Sequence, residues 1–433
     1  MCTFAFLPEL LIMRRLTLLV FLLTVLGCLT SAEPFRTRIF APNLKTLQAG
    51  IEGEKYSLPI INLGGNEVLT VRFDEMSHES RSFSYRLLHC NADWTPSDLN
   101  STEFLDGFTR GDITHFELSA NTSYHYTHYR FQVPNDKMKL KISGNYIIQI
   151  FEDNRPDQPS AQVCFSVVEP KVAIEAGIRP DTDLEINGRY QQLDLAVNLS
   201  GYYVREPMNE IKVTVRQNNR TDNQVEGVFP KSLAGNRLIY NNHRSLIFEA
   251  GSEFRSFDFS SAYAAGRGID EITLNNQQFE VWLTPDKLRR GAYEFDFDVN
   301  GRFIIHNQEA FYNANIEADY MPVHFRLATA QPFFDGLLYL GGEMTYNIQD
   351  QSTRMNYNNS TQQYQQTLLL KQGGYNYQYR FVAKGGKAAS VQRTEGSYWQ
   401  TRNEYTVYVY HRPWGERYDK LVGVRTVTNN GME

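Results

Sequence analysis

The segment LLHCNADWTPSDLNSTEFLDGF (Leu87–Phe108) leaves an apolar run at Leu87-Leu88, breaks at Pro96 and Gly107, and carries Trp94, Phe104 and Phe108 through an otherwise polar loop. Its flanks are strands. Before it, Val68–Phe73 (VLTVRF) alternates, the polar MSHES follows, and Phe83–His89 resumes. After it come Phe116–Leu118, Tyr124–Phe131, Tyr146–Phe151 (YIIQIF, behind the turn Ser143-Gly144-Asn145) and Gln162–Val168. Successive strand residues point to opposite faces, so these alternations describe half-buried pleats. Seven or so short strands over about 135 residues, separated by turn signals, predict an Ig-like β-sandwich. Glu169-Pro170 marks its end, because proline ends pairing and stiffens a linker.

The pattern continues outward. Leu193–Leu199 puts Leu193, Leu195, Val197 and Leu199 on one face, and Ile211–Val215 does the same with Ile211, Val213 and Val215. Arg237–Phe248, Phe254–Phe259, Phe279–Leu283 and Tyr293–Val299 (YEFDFDV) read as further strands, the last with one wet face. A third unit begins near Tyr320, with strands at Leu337–Leu340, Met344–Ile348, Gln366–Lys371, Tyr375–Val382 and Tyr405–Tyr410. TLLLKQGGYNYQYRF reads as a hairpin turning at Gly373-Gly374. The expected class is all-β, tandem Ig-like β-sandwich domains over 33–169, 170–320 and a Tyr-rich 321–433.

The N-terminus is a targeting segment. Arg14 and Arg15 precede the apolar run Leu16–Leu26, too short to span a bilayer and suited to a secretory signal over 1–32. Met13 is the more natural start. Two processing sites compete: cleavage after Ala32, following Thr30-Ser31, and lipidation at Cys28, whose preceding Val25-Leu26-Gly27 is an imperfect box. No later run reaches the length of a transmembrane helix. Taking two Arg and one Glu from the chain's 43 basic and 49 acidic residues leaves 41 and 48, a net charge of −7. A mildly acidic chain is a poor ligand for nucleic acid or anionic lipid. The 26 Tyr, 27 Phe and 29 Gly favour pleated, turn-rich structure. Cys90 and Cys164 either pair in an oxidising compartment or sit as small core residues.

Candidate chemistry is sparse. His125 and His128 lie three apart in a strand, where they point to opposite faces rather than converging on a metal. Asp93, Asp98, Glu103 and Asp106 surround Trp94, but match no calcium loop. They read as turn caps around Pro96, with Trp94 and Phe108 pinning the loop. No G-x-S-x-G elbow occurs, and the paired glycines lack the strand-to-helix setting of a phosphate loop. Tyr375, Tyr377, Tyr379 and Phe381 share one face. A sandwich core or a protein-contact face is their ordinary use, a sugar platform the rarer one. No catalytic residue, metal site or cofactor is expected.

Together these pieces carry a resemblance. LPIINLGGNEVLTVRFDEM, the HCNADWTPSDLNSTEFLDGF block, NTSYHYTHYRFQVPND, SGNYIIQIFEDN and FSVVEP, in that order, resemble the first domain of the type IX secretion system plug proteins of Bacteroidota. RLIYNNHRSLIFEAGSEFRSFD, QPFFDGLLYLGG and the segment from QTLLLKQGG to HRPWGERYDKLVG extend the likeness over nearly all of the mature chain; Cys164 departs from it. The resemblance implies a periplasmic, non-enzymatic β-sandwich protein on the periplasmic face of the outer membrane. It would close the giant translocon barrel (SprA or Sov type) and so gate export. It transfers no contact residues. Residue type alone makes Trp94, Phe104, Phe108, Trp399, Arg412 and Trp414 the interface candidates. The competing reading is a periplasmic or surface carbohydrate-binding β-sandwich protein.

Overall fold

A computed structural model describes residues 34–429, apart from 154, 156 and 387. The signal segment, Met13, Cys28 and the Ala32 site lie outside the described residues. Over the described residues the fold is all-β, with short helical turns only, and its sheets face each other in pairs around three apolar cores.

The first sandwich follows the alternation read in the sequence. Phe83–Cys90, Gly144–Glu152 and Ala161–Val168 form the centre of one sheet; Leu44–Ile51, Leu69–Glu75, Thr127–Val133 and His115–Leu118 form the other. Val71, Phe73, Tyr129 and Phe131 meet Tyr85, Leu87, Tyr146 and Ile148 between them. Gly144–Glu152 is buried on both faces almost throughout. Its outer side is covered by the second sandwich, where Val168, Tyr408, Tyr410 and Leu421 make a small apolar seam. Cys90 and Cys164 are both free. The strand Gly144–Glu152 lies between theirs, with Cys90 opposite Asn145 and Cys164 opposite Ile147, so more than two strand spacings, together about 9–10 Å, separate them, beyond the reach of a disulfide.

The second and third sandwiches do not follow one another along the chain, which corrects the expected boundary at 320. The second core draws on residues 174–248 and again on 405–422; the third is built from 257–381. Ile211–Gln217 pairs in unbroken register with Glu404–His411, which pairs in turn with Lys420–Thr428. The third sandwich is thus inserted into a loop of the second. Its Tyr320–Ala328 strand joins Gln278–Leu283, on the other side of the expected boundary, to Gln363–Lys371.

Three local expectations are also corrected. Gln363–Lys371 and Gly373–Ala383 form no hairpin: the first pairs with Tyr320–Ala328, the second with Arg255–Asp258, Phe303–Ile305 and Gly336–Gly341 in the opposite sheet. Gly373 serves close approach rather than a turn, since a Cβ there would lie 2.0 Å from the Ile304 carbonyl oxygen. Met344–Ile348 is no strand. Glu343–Thr345 is a 3-10 turn, and Tyr346 and Asn347 take left-handed φ of 53° and 54°, which carries the Tyr346 hydroxyl to the Leu47 amide at 3.0 Å. Tyr293–Val299 runs without helix, turn or bend but pairs with no strand among the described residues.

Candidate functional site

The six interface candidates have different fates. Phe104 is only 3% exposed and packs between His89 and Tyr146 in the first core. Trp94, also 3% exposed, lies under the Arg216 guanidinium, 5.2 Å from its ring centroid. Arg412 pairs with Asp419 at 2.9 Å and donates to Asn91, whose carbonyl accepts from the Trp94 amide. Trp94 and Arg412 thus both engage Asn91 at the joint between the first and second sandwiches, Trp94 buried and Arg412 at its edge. Trp94 and Phe104 are packed inside this chain rather than presented on its surface. Trp399 is half-buried, its carbonyl accepting from Gln191 and Asn429. Phe108 and Trp414 are the exposed rings, at 64% and 86%. Gly107, at φ 104°, leaves no room for a Cβ beside the Lys137 carbonyl, which accepts from the Phe108 amide at 2.8 Å; two residues before Trp414, the Arg412 amide donates to the Glu210 carbonyl at 3.1 Å.

The acidic cluster around Trp94 is structural. Asp93 Oδ1 accepts from the Thr95 amide and hydroxyl, closing an Asx turn. Glu103 closes a capping box with Asn100 and pairs with Arg417. The tyrosine stripe is buried, with two of its hydroxyls donating to Asp286 at 2.6 and 2.7 Å. It presents no platform to a sugar. A cleft of about 310 Å³ between the first and third sandwiches is lined by apolar groups such as Ile39, Leu44, Met344 and Leu368.

The densest polar chemistry lies where the sandwiches meet. Asp74 of the first sandwich accepts from His128 Nδ1, from Tyr320 Oη and from Lys371 Nζ, each at 2.6 Å. Lys371 also donates to the Asn315 carbonyl and stands 4.1 Å over the Tyr126 ring. Burial would raise the Asp74 carboxyl, but Lys371 and His128 outweigh it and hold it below its ordinary value; burial lowers the Lys371 ammonium. Nearby, Asp319 accepts from the Ser123 and Tyr124 amides and the Ser123 hydroxyl. The second and third sandwiches meet through Arg380, Asp222 and Arg220, all buried, and through Arg302–Glu404 at 2.6 Å. Burial and the neighbouring Arg220 push Arg380 down to about 9, and both arginines hold Asp222 near 2 against the opposing effect of burial. The first and second meet through Asp419, which accepts from the Ala92 amide, and through Tyr410 Oη to Asn145. Each sandwich is thereby tied to both others.

These joints were missed in the sequence reading. The available signal was a charge closing an apolar strand: Asp74 after LTVRF and Lys371 after TLLL. His128, weighed there as a metal ligand, spends Nδ1 on Asp74. Among the described residues no group of three His, Cys, Asp or Glu side chains converges as metal ligands would. Likewise, no described helix is long and apolar enough to cross a membrane.

Comparison with known proteins adds two findings. Residues 44–169 match the model of the type 9 secretion system plug protein 1st domain. A crystal structure of a hypothetical protein from Parabacteroides merdae superimposes with a TM-score of 0.89 at 41% identity, covering 92% of this chain and 100% of that one. No curated protein matches the chain.

Proposed function

The chain belongs to the type 9 secretion system plug protein family, and from that premise we propose that it is a periplasmic, non-catalytic plug. It seals the periplasmic opening of the giant outer-membrane translocon barrel (SprA or Sov type) and gates protein export. The observation that carries this reading beyond the family is the triangle of buried joints. A body that closes a wide aqueous pore must not hinge, and opening any joint here exposes or orphans buried charges. Occlusion is mechanical and requires no reaction. The buried tyrosine stripe withdraws the main support for the carbohydrate-binding alternative.

The test is affinity capture of the C-terminally tagged protein from detergent-solubilised outer membrane, followed by mass spectrometry. Recovery of a very large β-barrel is expected. Abundant, folded bait without such a barrel contradicts the reading.

A further inference from the structure

The segment Ala292–Asp298 (AYEFDFD) has the composition of a strand and, beyond a bend at Ala292, runs without helix, turn or bend, yet has no strand neighbour among the described residues. None of its main-chain amides or carbonyls bonds another main-chain group among the described residues. Side chains alone hold it down. Tyr293 Oη donates to the buried Glu253 at 2.5 Å; Asp296 pairs with Arg267; Asp298 accepts from the Phe254 amide at 2.5 Å and from the Asn300 amide. The Arg402 guanidinium stands 4.6 Å over the Phe295 ring, which packs edge-on against Phe297. Phe295 and Phe297 are nonetheless 44% and 75% exposed, and Glu294 is exposed with no ion pair among the described residues.

A fixed, unbent chain whose backbone groups, apart from the Phe297 amide that donates to Asp296 Oδ1 at 2.8 Å, make no side-chain bond among the described residues, and which carries aromatic side chains, is a template for strand addition. We propose that Ala292–Asp298 is a docking strand, completed by an extended segment of a partner that carries basic residues at alternate positions. Charge selects that occupant over a second copy of this chain. In an antiparallel self-pair that keeps rings facing rings, Glu294, Asp296 and Asp298 face one another, and like charges opposed across strands are destabilising. A strand with Lys or Arg opposite Glu294 reverses that sign. The source of the strand rests on the plug reading and would be the translocon barrel; the pairing chemistry stands apart from it.

The experiment uses the full-length protein and two synthetic decapeptides, one alternating valine with lysine and one alternating valine with glutamate. Hydrogen exchange is followed at residues 292–298. The lysine peptide is expected to slow exchange there by about tenfold or more and the glutamate peptide to leave it unchanged. Phe295→Pro, which removes an amide that bonds nothing else among the described residues, abolishes the protection; Glu294→Lys, at an exposed position, weakens it without touching the fold. Unchanged exchange, or equal protection by both peptides, overturns the proposal. The source is then read by capturing the barrel with wild type and with Glu294→Lys. Loss of recovery in the variant supports the translocon as donor. Equal recovery overturns this docking site while the plug reading stands. No recovery with wild type defeats the plug reading, and the peptide result still decides the strand.

Discussion

Asp74 gathers three hydrogen bonds from two sandwiches, so its partners are not equivalent to surface ion pairs. Lys371→Met leaves a buried carboxylate without its counter-charge and should cost about 3–5 kcal/mol, whereas the pair Asp74→Asn with Lys371→Met should cost clearly less than the sum of the single changes. Denaturant midpoints of the two single variants and the double variant measure this; additive losses would show that the two groups do not interact. His89 provides a pH test. Burial between Phe104 and Tyr146 pulls its imidazole from the ordinary 6.5 to about 4, against smaller opposing effects of the Ser143 carbonyl and Asp419. Above pH 6.5 both folded and unfolded forms are neutral and His89 contributes no pH dependence. As pH falls from 6.5 towards 4 the unfolded chain takes up a proton that the folded chain refuses, so stability drops over that window. His89→Gln should flatten this limb of the stability–pH curve, measured by thermal unfolding; an unchanged limb would place the dependence elsewhere.

Elements were legible where the alternation was local, and their partners were not. Leu193, Leu195, Val197 and Leu199, and Ile211, Val213 and Val215, lie in the second core as their period-2 spacing demands. The same spacing is silent on which strand lies alongside, and here the neighbour of Ile211–Gln217 comes from the far end of the chain. Gly373-Gly374 has the composition of a turn, but its glycine is needed where Phe303–Ile305 presses against Gly373–Ala383. Gly373→Ala should therefore destabilise by about 1–3 kcal/mol through overpacking, although an alanine suits a strand better than a glycine does. A calorimetric midpoint equal to or above that of wild type would refute the close-approach role. YEFDFDV is the opposite case. Its strand character was legible, while its lack of a partner is a property of the whole fold.

At the scale of the whole molecule, the described residues form three sandwiches, one inserted into another, each fastened to the other two by buried polar contacts. The family was legible from residues 44–169, where loop and strand signals fall close together in sequence. The insertion and the joints were not, because each depends on residues hundreds of positions apart, such as Asp74 with Lys371 or Ala92 with Asp419. Interface candidates chosen by residue type fared unevenly for a related reason: tryptophan and arginine anchor internal joints as readily as external ones, and Trp94 and Arg412 do so here. The central claim is mechanical closure of a pore by this rigid assembly. Its most direct test is the ion conductance of the purified translocon barrel in a planar bilayer, with this protein added on the periplasmic side. The account predicts that saturating protein abolishes the large open conductance and that washing it out restores it. A barrel that conducts undiminished with the protein demonstrably bound would contradict the account.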